Sequence, residues 1–337
     1  MSLNVKENEP LSKHTNFRIG GPARWFVEAR SEADVREAIT FAKEQRVSYC
    51  VIGGGSNVLV SDEGFSGVVI QMAMRGVHVQ RDFSPVEQDA TSGRAGSASG
   101  GKVAGNTLVV AEAGALSTAV ARQTADVGLQ GLEWAVSLPG TIGGAVRGNA
   151  GCFGGEMKDS VVSVRVLRDG DIVEIGKDEA GFSYRESAFK HSNDIILSVT
   201  LALHPGDRGT LRQKLDETLA KRKASQPHYG GSAGCLFKNH DATDEELQRL
   251  ARELDVLPYE MSASRRIPAG WLIDKLGLKG TRIGDAEISQ EHGNFVVNLG
   301  KATASDVVQI IALVKTKSRD QFGIQLQEEV QYLGFSH

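Results

Sequence analysis

The sequence predicts an α+β protein of more than one domain, and three observations carry that reading. Blocks with helical periodicity alternate with blocks of β-type alternation along the whole chain. The 337 residues suffice for two or three hydrophobic cores. Glycine, at 39 residues well above the usual share of roughly 7%, is gathered into loops between those blocks, where it permits close backbone approach.

The elements follow in order. Ser31 opens a helix with Asp34 at the capping-box position and Val35, Ala38, Ile39 and Ala42 as its apolar stripe. "VSYCVIGGGSNVLVSDEGFSGVVI" reads as strand, glycine turn, short strand, loop and strand, which with the helix makes an α/β unit. Residues 81–106 are polar and Gly/Ser-rich, an exposed loop. "TLVVAEAGA" is a strand, 116–127 a helix, "VVSVRVL", "DIVEI" and "IILSVTLALH" are strands, and a charged helix around Leu211, Leu215 and Leu219 leads into a last domain. There, Thr243 and Glu246 cap one helix, "AGWLIDKL" forms another, 305–319 a third, and "GIQLQEEVQYLGF" is the closing strand. No internal repeat occurs. The expected division is 1–75, 76–208 and 209–337.

Composition narrows the function. The chain is 40% hydrophobic and 24% charged, which sets disorder aside, and its net charge of -4 comes from 38 basic and 42 acidic residues that are interspersed. No basic footprint for nucleic acid or an anionic membrane exists. "MSLNVKENEP" lacks the basic and apolar regions of a signal peptide, and no run of about 18 apolar residues occurs, so a cytoplasmic protein is expected. Cys50, Cys152 and Cys235 are odd in number and irregularly spaced, which implies neither a disulfide framework nor a metal site.

Four motifs invite chemistry. Gly53 to Gly55 follow an apolar strand and serve either as a tight turn or as a loop whose N–H groups face a pyrophosphate, with Ser56 and Asn57 adding side-chain bonds. This is not the dinucleotide fingerprint, because Asn57 and Val58 stand where its third glycine belongs. Residues 96–102 approach a P-loop, but Val103 replaces the magnesium-binding hydroxyl. "GGSAG" matches a hydrolase nucleophile elbow at Ser232, yet Ser225-Gln226-Pro227-His228 precedes it and a strand-like Cys235-Leu236-Phe237 follows, the wrong context on both sides. "SLPGTIGGAVRGNAGCFGG" holds too many glycines for a packed element; the apolar residues between them favour a backbone moulded against a large planar ligand.

"HTNFRIGGPA", "VIGGGSNVLV", "SLPGTIGGAVRGNAGCFGGE", "FSYRESAFK", "GGSAGCLFKN", "AGWLIDKLGLKG", "EHGNFVVN" and "LQEEV" occur in the order found in the UDP-N-acetylenolpyruvoylglucosamine reductase (MurB) family. The chain resembles that family over residues 15–330. The resemblance implies a vanillyl-alcohol-oxidase-like (PCMH-type) FAD-binding domain of two α/β subdomains plus a C-terminal α+β substrate domain. It implies an NADPH-dependent flavoprotein oxidoreductase of peptidoglycan precursor synthesis, hence of cell wall biogenesis, cell shape and cell division. NADPH passes a hydride to the flavin, which passes it to the methylene carbon of the enolpyruvyl ether of a UDP-sugar, giving UDP-N-acetylmuramate.

The resemblance also distributes roles. FAD, held without a covalent link because the glycine loop has no His or Cys, is assigned to Ile52, Gly53, Gly54, Gly55, Ser56, Asn57, Val58 and Leu59, and to Ser137, Pro139, Gly140, Thr141, Gly143, Gly144, Asn149 and Gly151. Arg185 matches the family's catalytic arginine, a fork suited to a carboxylate; taken alone it reads as a surface ion pair. Cys235 stands where the family carries its proton-donating serine, and Ser232 aligns with that motif's first serine; a free cysteine taken alone is a buried filler. Alternation puts Glu328 with Ile324, Leu326 and Val330, and Glu329 with Gln325, Gln327 and Gln331, and the family pattern selects Glu329 as the catalytic carboxylate. Tyr184, Ser232, Lys238 and Asn239 are assigned to the substrate or to NADPH phosphates. The short spacing from Arg185 to Cys235 indicates the type II branch, and the chain is expected to act as a monomer. The competing readings are another flavin oxidoreductase of the same superfamily acting on a sugar or hydroxy acid, and a Ser232 hydrolase with His240 or His292 as partner.

Overall fold

The structure, a computed structural model, describes residues 3–80, 106–254 and 257–335. The stretch 81–106 expected as a loop lies, but for Asn106, outside the described residues. The chain divides into two compact units, one of Met1–Ala73 with Ala220–His337 and one of Met74–Leu219; the charged helix Arg208–Ser225 runs through the point of division.

The first unit contains a four-stranded sheet in the order Val5–Pro10, Pro22–Ala29, Phe65–Met72, Tyr49–Ile52; the first pair is antiparallel and the other two are parallel. The central strands carry near-continuous apolar runs because both faces are covered. The helix Glu32–Glu44 has the reciprocal Ser31–Asp34 cap read from the sequence and buries Val35, Ala38 and Ala42. A small core of Leu11, Ala23, Phe26, Ile52, Val60 and Val69 lies in this part. A larger core combines Phe17, Ile19 and Leu59 with Leu236, Phe237, Leu272, Val307, Ile311 and Val330, so the two ends of the sequence bury apolar surface against each other.

Two further contacts join those ends. The strand Gln331–Leu333 pairs in parallel with Val58–Val60 just after the glycine loop. Asp62 accepts from the N–H groups of Ala304 and Ser305 at 2.8 and 3.0 Å, reinforcing the Thr303–Asp306 cap of the helix Ala304–Phe322. Residues 323–330 alternate as expected, with Ile324, Leu326 and Val330 buried, although ladder pairing begins only at Gln331.

The second unit is built on an antiparallel sheet in the order Asp171–Gly176, Val161–Arg168, Ile195–Pro205, Thr107–Glu112, Val77–Gln80, with Leu129–Gln130 paired to the end of the long strand. The glycine-dense segment is packed, not a loop. It forms a 3-10 turn Glu133–Ser137, a helix Ile142–Arg147, a hairpin of Gly151–Cys152 with Gly155–Glu156, and a one-turn helix Met157–Ser160. At two positions the glycine is required by the chain itself: a Cβ on Gly143 would lie 2.8 Å from the Ala113 Cβ, and one on Gly155 would lie 2.3 Å from the Trp134 ring.

Among the described residues no helix is long and apolar enough to cross a membrane.

Candidate active site

In the first unit the fold gathers three of the motifs. The Asn57 side-chain amide donates to the Glu329 carbonyl at 3.0 Å, and the Gln331 N–H donates to the Asn57 carbonyl at 3.0 Å. The Glu329 N–H donates to the Leu236 carbonyl at 2.7 Å, which sets Glu329 beside the residue that follows Cys235. Cys235 is half-buried and forms an isolated bridge with Phe295. Glu328 turns to the other side of the segment, where the Lys315 ammonium donates to it at 2.7 Å and the Tyr332 hydroxyl, its pKa raised by burial and by this contact, also bonds it.

Asn294, within the motif EHGNFVVN, is a residue to which the resemblance assigns no role. Nearly inaccessible, it accepts from the Phe237 N–H at 2.9 Å and donates to the Phe237 carbonyl at 2.8 Å, while its own carbonyl accepts from the Leu236 N–H at 2.9 Å. The two residues after Cys235 are thereby held by one buried residue, Phe237 by its side chain and Leu236 by its main chain. Asn294 in turn donates its N–H to His292 Nδ1 at 3.2 Å, and burial lowers the pKa of that imidazole, so it is kept neutral.

The other assigned residues of this unit have defined local partners. Ser232 Oγ accepts from the Gly234 N–H at 3.2 Å, with no strand before it and no helix after it, so the nucleophile-elbow context is absent. His240 is bonded to Glu246 at 3.0 Å, within the cap of the helix Asp244–Glu253. Asn239 Oδ1 accepts from Ala269 at the start of the helix Ala269–Lys275, and the Lys238 N–H donates to the Gln327 carbonyl. Ile52 and Leu59 are buried with their side chains in the cores, leaving only their main chain for a ligand. Gly55 has φ +60°, and a Cβ there would lie 2.1 Å from the His14 carbonyl. Gly55 therefore serves packing as well as any ligand.

In the second unit Tyr184 and Arg185 occupy the tip of a turn closed by paired hydrogen bonds between Ser183 and Glu186. Arg185 has φ +56°, donates from Nη2 to the Gly151 carbonyl at 2.7 Å, and lies 5.3 Å from the Tyr184 ring centroid. Asn149 is fully buried, with its amide bonded to Glu156, Ser183 and Lys158.

This unit fits the expected flavin nucleotide. Ser137 and Thr141, both assigned to FAD, are buried and their hydroxyls have no partner within the described protein, as is true of Ser117, which the sequence reading missed. Ser117 is bonded through its N–H to the Gly140 carbonyl at 3.1 Å, so it belongs to the same stretch of structure. Unbonded buried hydroxyls cost about 1–3 kcal/mol each, a cost that a polar ligand removes. No local motif marks Ser117; only its pairing with residue 140 reveals it.

Comparison with known proteins agrees with this picture. A family model described as UDP-N-acetylenolpyruvoylglucosamine reductase, C-terminal domain, matches residues 226–333, and one described as FAD binding domain matches residues 23–176. A UDP-N-acetylenolpyruvoylglucosamine reductase of Carboxydothermus hydrogenoformans is 36% identical over 335 residues, covering 99% of this chain and 95% of that protein. The enzyme of the same name from Rubrobacter xylanophilus is 37% identical over 333 residues, covering 98% and 95%. The crystal structure of the reductase from Thermus caldophilus superposes with a TM-score of 0.70 at 31% identity and covers 99% of each chain. These similarities support an α+β chain with an FAD-binding domain followed by the reductase family's C-terminal domain. The chain belongs to the UDP-N-acetylenolpyruvoylglucosamine reductase family and is an FAD-binding oxidoreductase.

Proposed function

We propose that the protein reduces the enolpyruvyl ether of UDP-N-acetylglucosamine to UDP-N-acetylmuramate with NADPH as reductant, acting as a cytoplasmic monomer of the shorter, type II branch. The observation that carries this reading is the convergence in the first unit: Asn57 and Leu236 both bond the Glu329 peptide, so the glycine loop, the Cys235 segment and the carboxylate form one arrangement. FAD, when bound, supplies the hydride carrier between NADPH and the substrate. Its proposed holders are the main chain of 52–59 and the stretch containing Ser137, Pro139, Gly140, Thr141, Gly143, Gly144 and Gly151.

Reduction of the enol ether requires a cation for the substrate carboxylate and a proton for the carbon beside it. Arg185 supplies the first with two parallel N–H donors. Cys235 supplies the second from its thiol, and the bonds of the Asn294 side chain and main chain and of the Glu329 N–H to the residues after it hold that segment. Glu329, and not the ion-paired Glu328, is the accompanying carboxylate. Tyr184, Ser232, Lys238 and Asn239 are assigned to the sugar nucleotide or NADPH.

The reading is tested by the absorption spectrum of the purified protein and by timing its two half-reactions in anaerobic stopped flow. A flavin spectrum, with FAD released intact by acid or heat, is expected. Arg185→Lys and Glu329→Gln are expected to leave reduction by NADPH largely intact and to slow reoxidation by the enolpyruvyl substrate, with a barrier increase of about 2.7–4 kcal/mol. A colourless protein that also fails to bind added FAD overturns the reading.

A further inference from the structure

Asn149 is assigned to the cofactor by sequence, but its side chain has no donor left to give. It is fully buried and left-handed, with φ +40°. Its two amide protons go to Glu156 Oε2 and to the Ser183 carbonyl, each at 2.8 Å, and its Oδ1 accepts from the Lys158 N–H at 3.0 Å.

These bonds close a circuit around Arg185. Ser183 is one end of the turn that carries Arg185 at its tip, and its N–H and carbonyl bond Glu186 at 3.1 and 3.2 Å. Glu156 pairs with Gly151 in the short hairpin, and the Gly151 carbonyl accepts from Arg185 Nη2 at 2.7 Å. Beyond the turn, Ser187 Oγ donates to the Arg147 carbonyl at 2.7 Å, so the stretch 147–149 pins both flanks of the turn. The left-handed backbone of Arg185 is unfavourable for a branched or long side chain in isolation, and it persists because the surrounding structure over-determines it.

We propose that Asn149 is a positioning residue for Arg185: it ties the Ser183–Glu186 turn to the Gly151–Glu156 hairpin and so aims the guanidinium, and it does not bind FAD through its side chain. The inference rests on the reading that Arg185 serves the enolpyruvyl carboxylate.

The test uses the FAD-loaded full chain carrying Asn149→Gly, which tolerates the left-handed backbone and removes all three side-chain bonds. FAD affinity by flavin fluorescence and the rate of reduction by NADPH are expected to match the parent. Reoxidation by the enolpyruvyl substrate is expected to slow by about 10²-fold, the scale of a misplacement near 1 Å. In an Arg185→Ala background the same change is expected to add no further loss, because it acts through that arginine. Asn149→Asp keeps the volume and loses both donors, and it carries the same expectations if the glycine variant is unstable. Weakened FAD binding with normal reoxidation, or a loss that adds to that of Arg185→Ala, overturns the inference. If Arg185→Ala alone leaves reoxidation unchanged, the proposed role of Arg185 falls and the inference falls with it; if Arg185→Ala slows reoxidation and Asn149→Gly does not, only the inference falls.

Discussion

The Asn57 side-chain amide donates to the carbonyl of Glu329 at 3.0 Å, a bond between residues 272 positions apart. It ties the end of the glycine loop to the carboxylate-bearing segment, and the Gln331 amide donates to the same carbonyl at 3.0 Å. The pairing of Val58–Val60 with Gln331–Leu333 begins directly beyond it.

Asn57→Ala removes one donor from that carbonyl. Stability in urea is expected to fall by about 0.5–1.5 kcal/mol, the net worth of one hydrogen bond. Amide exchange at residues 329–333 is expected to accelerate because a side-chain tie directly before the ladder is lost. Exchange unchanged from the parent would show that Gln331 alone suffices to hold the segment.

Cys235 offers a cleaner test of proton donation than serine would. Cys235→Ser is expected to keep substantial activity, whereas Cys235→Ala is expected to lose about 10²–10⁴-fold in steady-state turnover, the range for a general acid. Reduction of the flavin by NADPH is expected to be untouched in both. The parent is also expected to be inactivated by thiol alkylation at Cys235 while Cys50 resists, since burial raises the Cys50 thiol to about 12. Parental turnover by the alanine variant would remove Cys235 from the reaction.

Acid stability is expected to depend on His292. Burial lowers its pKa in the folded protein, and an unfolded histidine protonates near 6.5. Between those two values the unfolded chain binds a proton that the folded protein does not, so the contribution is complete above about 6.5 and is lost as pH falls below it. Urea midpoints on either side of that value are expected to drop less on acidification for His292→Gln than for the parent. Equal drops would assign the acid sensitivity to other groups.

Gly155→Ala is expected to destabilise by about 1–3 kcal/mol, the cost of overpacking, because the added methyl meets the Trp134 ring at 2.3 Å. Gly176→Ala, where nothing lies within 4 Å, is the matched comparison and is expected to be near neutral in thermal melts. Similar losses at both positions would mean that the ring gives way and that general glycine effects dominate.

The sequence by itself determined what neighbours within a few residues decide. The caps at Ser31–Asp34 and Thr243–Glu246 appear as read, and so does the alternation of Ile324, Leu326 and Val330, because each depends on hydrogen bonds or burial over one turn or one pleat. Eight motifs in order were enough to indicate the family and its flavin. The strands Val5–Pro10 and Pro22–Ala29 were not legible: the first is mostly polar, and the second, covered on both faces, lacks the alternation that marks a half-buried strand. Only the tertiary structure decided that residues 1–73 share a unit and a core with 220–337, that Asn57 reaches Glu329, and that the amide of Asn149 is spent on Glu156 and Ser183. Those choices depend on which surfaces meet through space. A hydrogen-bonding side chain looks the same in sequence whether its partner is a cofactor or a peptide group far along the chain, and the packing of the whole unit selects between them.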